Sequence, residues 1–135
     1  DYRVMPNYAS AIIGGRPLRV YGDGQQTRTF CYVTDAIIGF FLVLLKGVPG
    51  APYNIGNPNP ELSMRELAEI FCELDRGANI SLSEYPDSYP ADEPRRRVPD
   101  ITKARMQLDY SPLVPIRDGV DRFMSWAREN YSGAL

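Results

Sequence analysis

A chain of 135 residues has room for one modest domain. With 44% hydrophobic and 24% charged residues it reads as globular, and 15 basic against 17 acidic groups argue against a nucleic-acid coat or a polybasic membrane binder. It has no histidine, which excludes a Ser-His or Cys-His pair, a His-liganded metal and a His pH switch within this chain. Two cysteines, Cys31 and Cys72, are too few for a disulfide framework or a zinc knuckle, and their apolar surroundings mark them as buried structural thiols. No apolar run approaches the roughly 20 residues that cross a bilayer, and no signal peptide is visible. The chain starts at Asp1 rather than Met, a first sign that it is a piece of something longer.

In chain order, residues 4–14 predict a helix, with Pro6 tolerated in its first turn and Gly14-Gly15 as its stop. Leu18–Tyr21 predicts a short strand, and Gly22-Asp23-Gly24 a turn. Residues 28–33, rich in aromatics, predict another strand. Thr34 or Asp35 is then expected to cap a helix running to about Lys46. Its interior, IIGFFLVLL, is apolar on nearly every face and demands more cover than so short a chain supplies. Residues 53–55 predict a short strand.

The next helix is the best marked. Ser63-Met64-Arg65-Glu66 fits a capping box, with Leu62 and Leu67 spaced as a hydrophobic staple. Met64, Leu67, Ala68, Phe71 and Leu74 recur on one face, and Gly77 marks the end. Residues 80–85 alternate as a half-exposed strand does. Residues 86–99, with four prolines and the run Arg95-Arg96-Arg97, predict a loop. Thr102–Leu108 predicts a short helix, and Ile116, Val120, Phe123, Met124 and Ala127 stripe a final helix of about four turns. Strands alternating with helices define an α/β or α+β fold.

The chain has no G-x-G-x-x-G after a strand, no Gly-Lys-Ser/Thr phosphate loop and no Tyr-x-x-x-Lys. Gly22-Asp23-Gly24 leads toward a strand rather than a helix, so it reads as a tight turn. Arginines outnumber lysines 13 to 2, and their planar forks suit phosphate. Arg3 precedes the first helix, Arg28 opens the strand after the glycine turn, and Arg97 sits beside Val98-Pro99-Asp100. With Tyr21 beside the turn, they suit a base and a diphosphate, though each arginine alone reads as a solvated or ion-paired side chain.

The run Leu18-Arg19-Val20-Tyr21-Gly22-Asp23-Gly24-Gln25-Gln26-Thr27-Arg28-Thr29-Phe30-Cys31-Tyr32-Val33-Thr34-Asp35 resembles a late segment of the NAD-dependent epimerase/dehydratase family, the extended short-chain dehydrogenases/reductases of nucleotide sugars. Tyr53-Asn54-Ile55-Gly56-Asn57-Pro58, Asp92-Glu93-Pro94 and Arg97-Val98-Pro99-Asp100-Ile101 continue the likeness in the family's order, most like its UDP-glucuronate decarboxylases. Pro6 departs from that subfamily and is more usual in dehydratases and epimerases, so dTDP-glucose 4,6-dehydratase and UDP-sugar 4-epimerase stay open. A non-catalytic binding or assembly module is the alternative of another class.

The resemblance implies an α/β fold: the C-terminal nucleotide-sugar-binding lobe, residues 1–135, of a cytoplasmic and homodimeric parent. The NAD-binding Rossmann lobe would lie before Asp1, and the helix at 34–46 and the strand at 53–55 would belong to its sheet. It implies a UDP-sugar or dTDP-sugar ligand, with NAD held by the parent and not by this chain alone, and no nucleic-acid or membrane partner. Residue by residue, Arg3 and Val4 match the helix start that approaches the sugar nucleotide. Arg19, Val20 and Tyr21 match the strip along its base, largely through backbone. Arg28 matches the arginine on the diphosphate, Arg97 a second arginine on the phosphate or ribose, and Asn54 a further ligand contact. Asp100 is expected to orient its loop. No catalytic residue and no metal ligand is expected among these residues.

Overall fold

The computed structural model describes residues 3–89 and 93–131. The elements run α1 (Val4–Ile13), β1 (Leu18–Tyr21), β2 (Thr27–Arg28), α2 (Val33–Lys46), β3 (Leu62–Ser63), α3 (Met64–Leu74), β4 (Ile80–Ser83), β5 (Arg96–Arg97), α4 (Thr102–Leu108) and α5 (Ile116–Tyr131). Strands β1 and β4 pair in parallel, and β2 lies between β3 and β5, antiparallel to the first and parallel to the second.

One core gathers α1, β1, α3 and α5. Leu18 and Val20 alternate inward from β1 and meet Leu67 and Phe71 of α3, Tyr8 of α1, and Val120 and Met124 of α5. Full burial of a side chain such as Leu67 or Phe71 is worth about 1.5–3 kcal/mol in transfer free energy. The Tyr8 ring meets Phe71 edge-on at 5.4 Å, and its hydroxyl donates to the Met64 carbonyl at 3.3 Å. The start of α3 follows its sequence signature. The Glu66 amide donates to Ser63 Oγ at 3.1 Å, and the Ser63 amide donates to Glu66 Oε2 at 2.8 Å. Two otherwise orphaned donors are thereby satisfied.

A smaller core joins α2 to α4: Ile101, Ala104, Leu108 and Tyr110 pack with Leu42, Val43, Tyr53 and Ile55. Gly39 permits this approach, because a Cβ there would stand 2.3 Å from the Ile55 side chain and 2.9 Å from the Tyr110 ring. The opposite side of α2 is bare. Phe40, Leu44 and Leu45 are 63%, 77% and 76% exposed, with Ile37, Ile38 and Phe41 beside them. The sequence expectation of an under-covered helix is met at these side chains.

Several expectations are corrected. Residues 28–33 do not form one strand: β2 ends at Arg28 and α2 already begins at Val33. Neither Thr34 nor Asp35 caps α2. Tyr32 occupies the cap position without a side-chain bond. The Asp35 carboxylate turns away to accept the amides of Leu113 and Val114 at 3.1 and 2.9 Å. Residues 53–55 form no strand and have no ladder partner among the described residues; Tyr53 and Ile55 pack on the α4 core instead. The loop at 86–99 contains a strand, β5, because Arg96 and Arg97 pair with Thr27 and Arg28. Cys31 and Cys72 are half-buried rather than buried.

Candidate functional site

Two adjoining cavities open where α1, β1, β2 and β5 come together. The first, about 440 Å³, has Arg19 and Tyr21 of β1 in its wall together with Ser81 and Ser83 of β4. Register explains this set. Arg19 lies opposite Ser81 and Tyr21 opposite Ser83, so the pleat turns all four to one face while Leu18 and Val20 enter the core. The second cavity, about 600 Å³, is walled by Arg3, Val4, Arg28 and Arg97 together with Tyr89 and Glu93. Val4, Gln26, Met64 and Tyr89 border both.

The turn between β1 and β2 requires its glycines. Gly22 and Gly24 have φ of 62° and 69°, and a Cβ would lie 2.6 Å from the Tyr85 ring at Gly22 and 2.7 Å from Val20 at Gly24. Asp23 accepts the Gln25 amide and an Arg95 guanidinium, which together hold its carboxyl below the usual range. The close approach at Gly22 seats Tyr85 against Tyr21. Tyr21, Tyr85 and Tyr89 form a cluster with centroid separations of 5.8, 6.0 and 4.7 Å. Tyr85 is the exposed member, while Tyr21 and Tyr89 are half-buried.

Arg28 and Arg97 are Cα partners across β2 and β5, which brings their forks to the same side. Arg28 Nη1 donates to the Thr27 carbonyl at 2.8 Å, fixing the guanidinium. Its Nη2 and the Nη2 of Arg97 meet a single oxygen, Glu93 Oε1, at 2.5 and 3.3 Å. Neighbouring arginines have their own acids: Arg95 pairs with Asp23 and Arg96 with Glu61. Gln26 is buried between the cavities, and its Oε1 is the one buried side-chain polar atom without a hydrogen-bond partner among the described residues.

Of the residues singled out in the sequence, Arg3, Val4, Arg19, Tyr21, Arg28 and Arg97 converge here. Val20 directs its side chain into the core and lines neither cavity. Asn54 does not join them. It borders a separate apolar hollow with Phe40, Leu44 and Pro99, and its Nδ2 donates to the Asp100 carbonyl at 3.0 Å. Asp100 accepts the Thr102 amide at 2.9 Å at the start of α4; its hydrogen bonds with Thr102 lower its carboxyl pKa. Asp92 lies outside the described residues. Tyr85, Tyr89, Gln26 and Glu93 were not singled out, although Glu93 stands inside the quoted Asp-Glu-Pro motif.

The site sets two guanidinium forks beside a cluster of three tyrosine rings. Burial pushes the Tyr8 and Tyr89 phenols up, and likewise the thiols of Cys31 and Cys72, away from neutral pH. Among the described residues no three His, Cys, Asp or Glu side chains gather as a metal site. Among the described residues, the glycine turn at 22–24 runs into strand β2 and not onto a helix N-terminus, so that turn offers no pyrophosphate cradle.

The fold defines a class: it matches the C-terminal portion of Rossmann-type epimerase and dehydratase structures. A UDP-glucuronic acid 4-epimerase from Bacillus cereus, solved with UDP-glucuronic acid and NAD, superposes with a TM-score of 0.84 at 28% identity, over 96% of this chain and 41% of that one. Residues 1–56 match the NAD dependent epimerase/dehydratase family. UDP-glucuronic acid decarboxylase 1 of Arabidopsis thaliana is 41% identical over 126 residues, which is 93% of this chain and 28% of that protein. A dTDP-D-glucose 4,6-dehydratase of Bos taurus is 34% identical over 134 residues, 96% of this chain and 37% of that protein. The chain belongs to the NAD dependent epimerase/dehydratase family, and it spans about a third of the length of these curated relatives. No helix among the described residues is long and apolar enough to cross a membrane.

Proposed function

We propose that this chain is the nucleotide-sugar-binding portion of an NAD-dependent enzyme that converts UDP-glucuronate to UDP-xylose. The observation that carries the reading is the Arg28–Arg97 pair, two forks converging on one anion position beside the Tyr21 cluster. In this reading Arg28 and Arg97 grip the diphosphate, Arg19 and Tyr21 flank the base, and Arg3 and Val4 approach the sugar. Their job is positioning: binding energy from the remote nucleotide holds the sugar where chemistry occurs.

Bond-making groups and the dinucleotide belong, in this reading, to an N-terminal Rossmann lobe preceding Asp1. One observation favours such a lobe: the bare apolar side of α2. The 135-residue chain alone is then inactive, and its parent is a homodimer. NAD enters no step derived from this chain's residues.

A 4,6-dehydratase is the second reading, favoured by Pro6 and by the likeness to the bovine protein. Incubating the full-length enzyme with UDP-glucuronate separates the two. Release of CO₂ with UDP-xylose is expected; no turnover of UDP-glucuronate, with a 4-keto-6-deoxy product from dTDP-glucose, overturns the decarboxylase reading.

A further inference from the structure

The arginine pair already holds an anion, supplied by the chain itself. Resting on the reading of Arg28 and Arg97 as a diphosphate site, we propose that Glu93 is the site's resident counter-anion, which a ligand phosphate must displace. Both guanidinium Nη2 groups point at the same oxygen, Glu93 Oε1, at 2.5 and 3.3 Å. A phosphate oxygen has the same charge and acceptor geometry as that carboxylate oxygen, so it fits the same two donors. A phosphate oxygen placed on those two donors would meet the Glu93 carboxylate and its charge.

The surroundings make this contact more than a surface pairing. The Arg28 side chain is 14% exposed and Glu93 29%, so water screens the contact only in part. Glu93 borders both the 600 Å³ cavity and a further hollow of about 330 Å³ in which Arg28, Tyr85 and Tyr89 also take part. It therefore stands in the wall where the ligand would enter. Glu61 and Asp23 are engaged by Arg96 and Arg95 and do not reach the pair.

The consequence is selectivity among anions. Without a ligand, Glu93 neutralises the two forks. A singly charged anion gains little by replacing one carboxylate with another. A nucleoside diphosphate brings more charge and a second phosphate, and so overcomes the exchange. Glu93 lowers affinity for every anionic ligand and thereby also eases its release.

Calorimetric titration of the chain with UDP tests this. Glu93→Gln keeps the shape and removes the charge; it is expected to bind UDP about tenfold more tightly than the unaltered chain. Glu93→Ala is expected to repeat the gain. Asp87→Asn removes the same charge from the same loop without touching either arginine and is expected to stay within about twofold. Adding Arg28→Ala to Glu93→Gln is expected to abolish the gain. Equal or weaker binding by both Glu93 variants overturns the proposal and makes Glu93 a brace for the arginines. Binding by the unaltered chain that Arg28→Ala leaves intact overturns instead the diphosphate reading itself, and this inference with it.

Discussion

Asp35 offers the sharpest test of how the two cores are joined. It is 3% exposed, and its Oδ2 accepts the backbone amides of Leu113 and Val114 at 3.1 and 2.9 Å. These bonds pin the segment before α5 to the first turn of α2. Asp35→Ala leaves two part-buried donors without an acceptor, at about 1–3 kcal/mol each. It also removes a negative charge from a helix N-terminus, worth about 0.3–1 kcal/mol. The sum is about 2–7 kcal/mol, which for a domain of this size lowers Tm by roughly 5–30 °C. Asp35→Asn keeps a carbonyl oxygen at the same place and is expected to cost only about 1 kcal/mol. Urea titration gives the stabilities, and hydrogen exchange at the Leu113 and Val114 amides gives the local effect. An alanine variant within about 0.5 kcal/mol of the unaltered chain, with those amides equally protected, would refute the reasoning.

The bare side of α2 is expected to drive self-association of the isolated chain, and Phe40→Glu with Leu44→Lys to suppress it. Light scattering across concentration measures this; a clean monomer with a sharp two-state melt contradicts it. The α3 cap predicts a pH effect of known sign. Hydrogen bonds from the Ser63 amide and hydroxyl hold the Glu66 carboxyl below its usual range. Its contribution is present above the unfolded value, about 4.3, and is lost as pH falls through the lower folded value. Glu66→Gln should therefore flatten the stability profile below about pH 4.5, and Ser63→Ala should cost about 1 kcal/mol near neutral pH.

What the sequence disclosed was mostly local. The Ser63-x-x-Glu66 box writes both of its hydrogen bonds within four residues, and the α3 stripe of Leu67, Ala68 and Phe71 is a periodicity. Asp35 looked like a cap by the same local logic. Its carboxylate is instead claimed by amides 78 and 79 positions away, which no local pattern records. The short strands failed for a related reason. Two-residue β5 exists because Arg96 and Arg97 find Thr27 and Arg28, while residues 53–55, with better strand composition, find no partner among the described residues. In the site, Arg28, Arg97 and Tyr21 were legible through their residue types beside a glycine turn. Glu93 was not, because its partner Arg28 is 65 positions distant. Tyr85 and Tyr89 gain meaning only when Gly22 lets a ring close on Tyr21.

The central claim is that this chain holds a nucleotide diphosphate through Arg28. Titrating the folded chain with UDP at low salt, beside Arg28→Ala, tests it most directly. The account predicts millimolar or tighter binding that the substitution abolishes. No heat of binding from a demonstrably folded chain, or binding that survives the loss of Arg28, would contradict it.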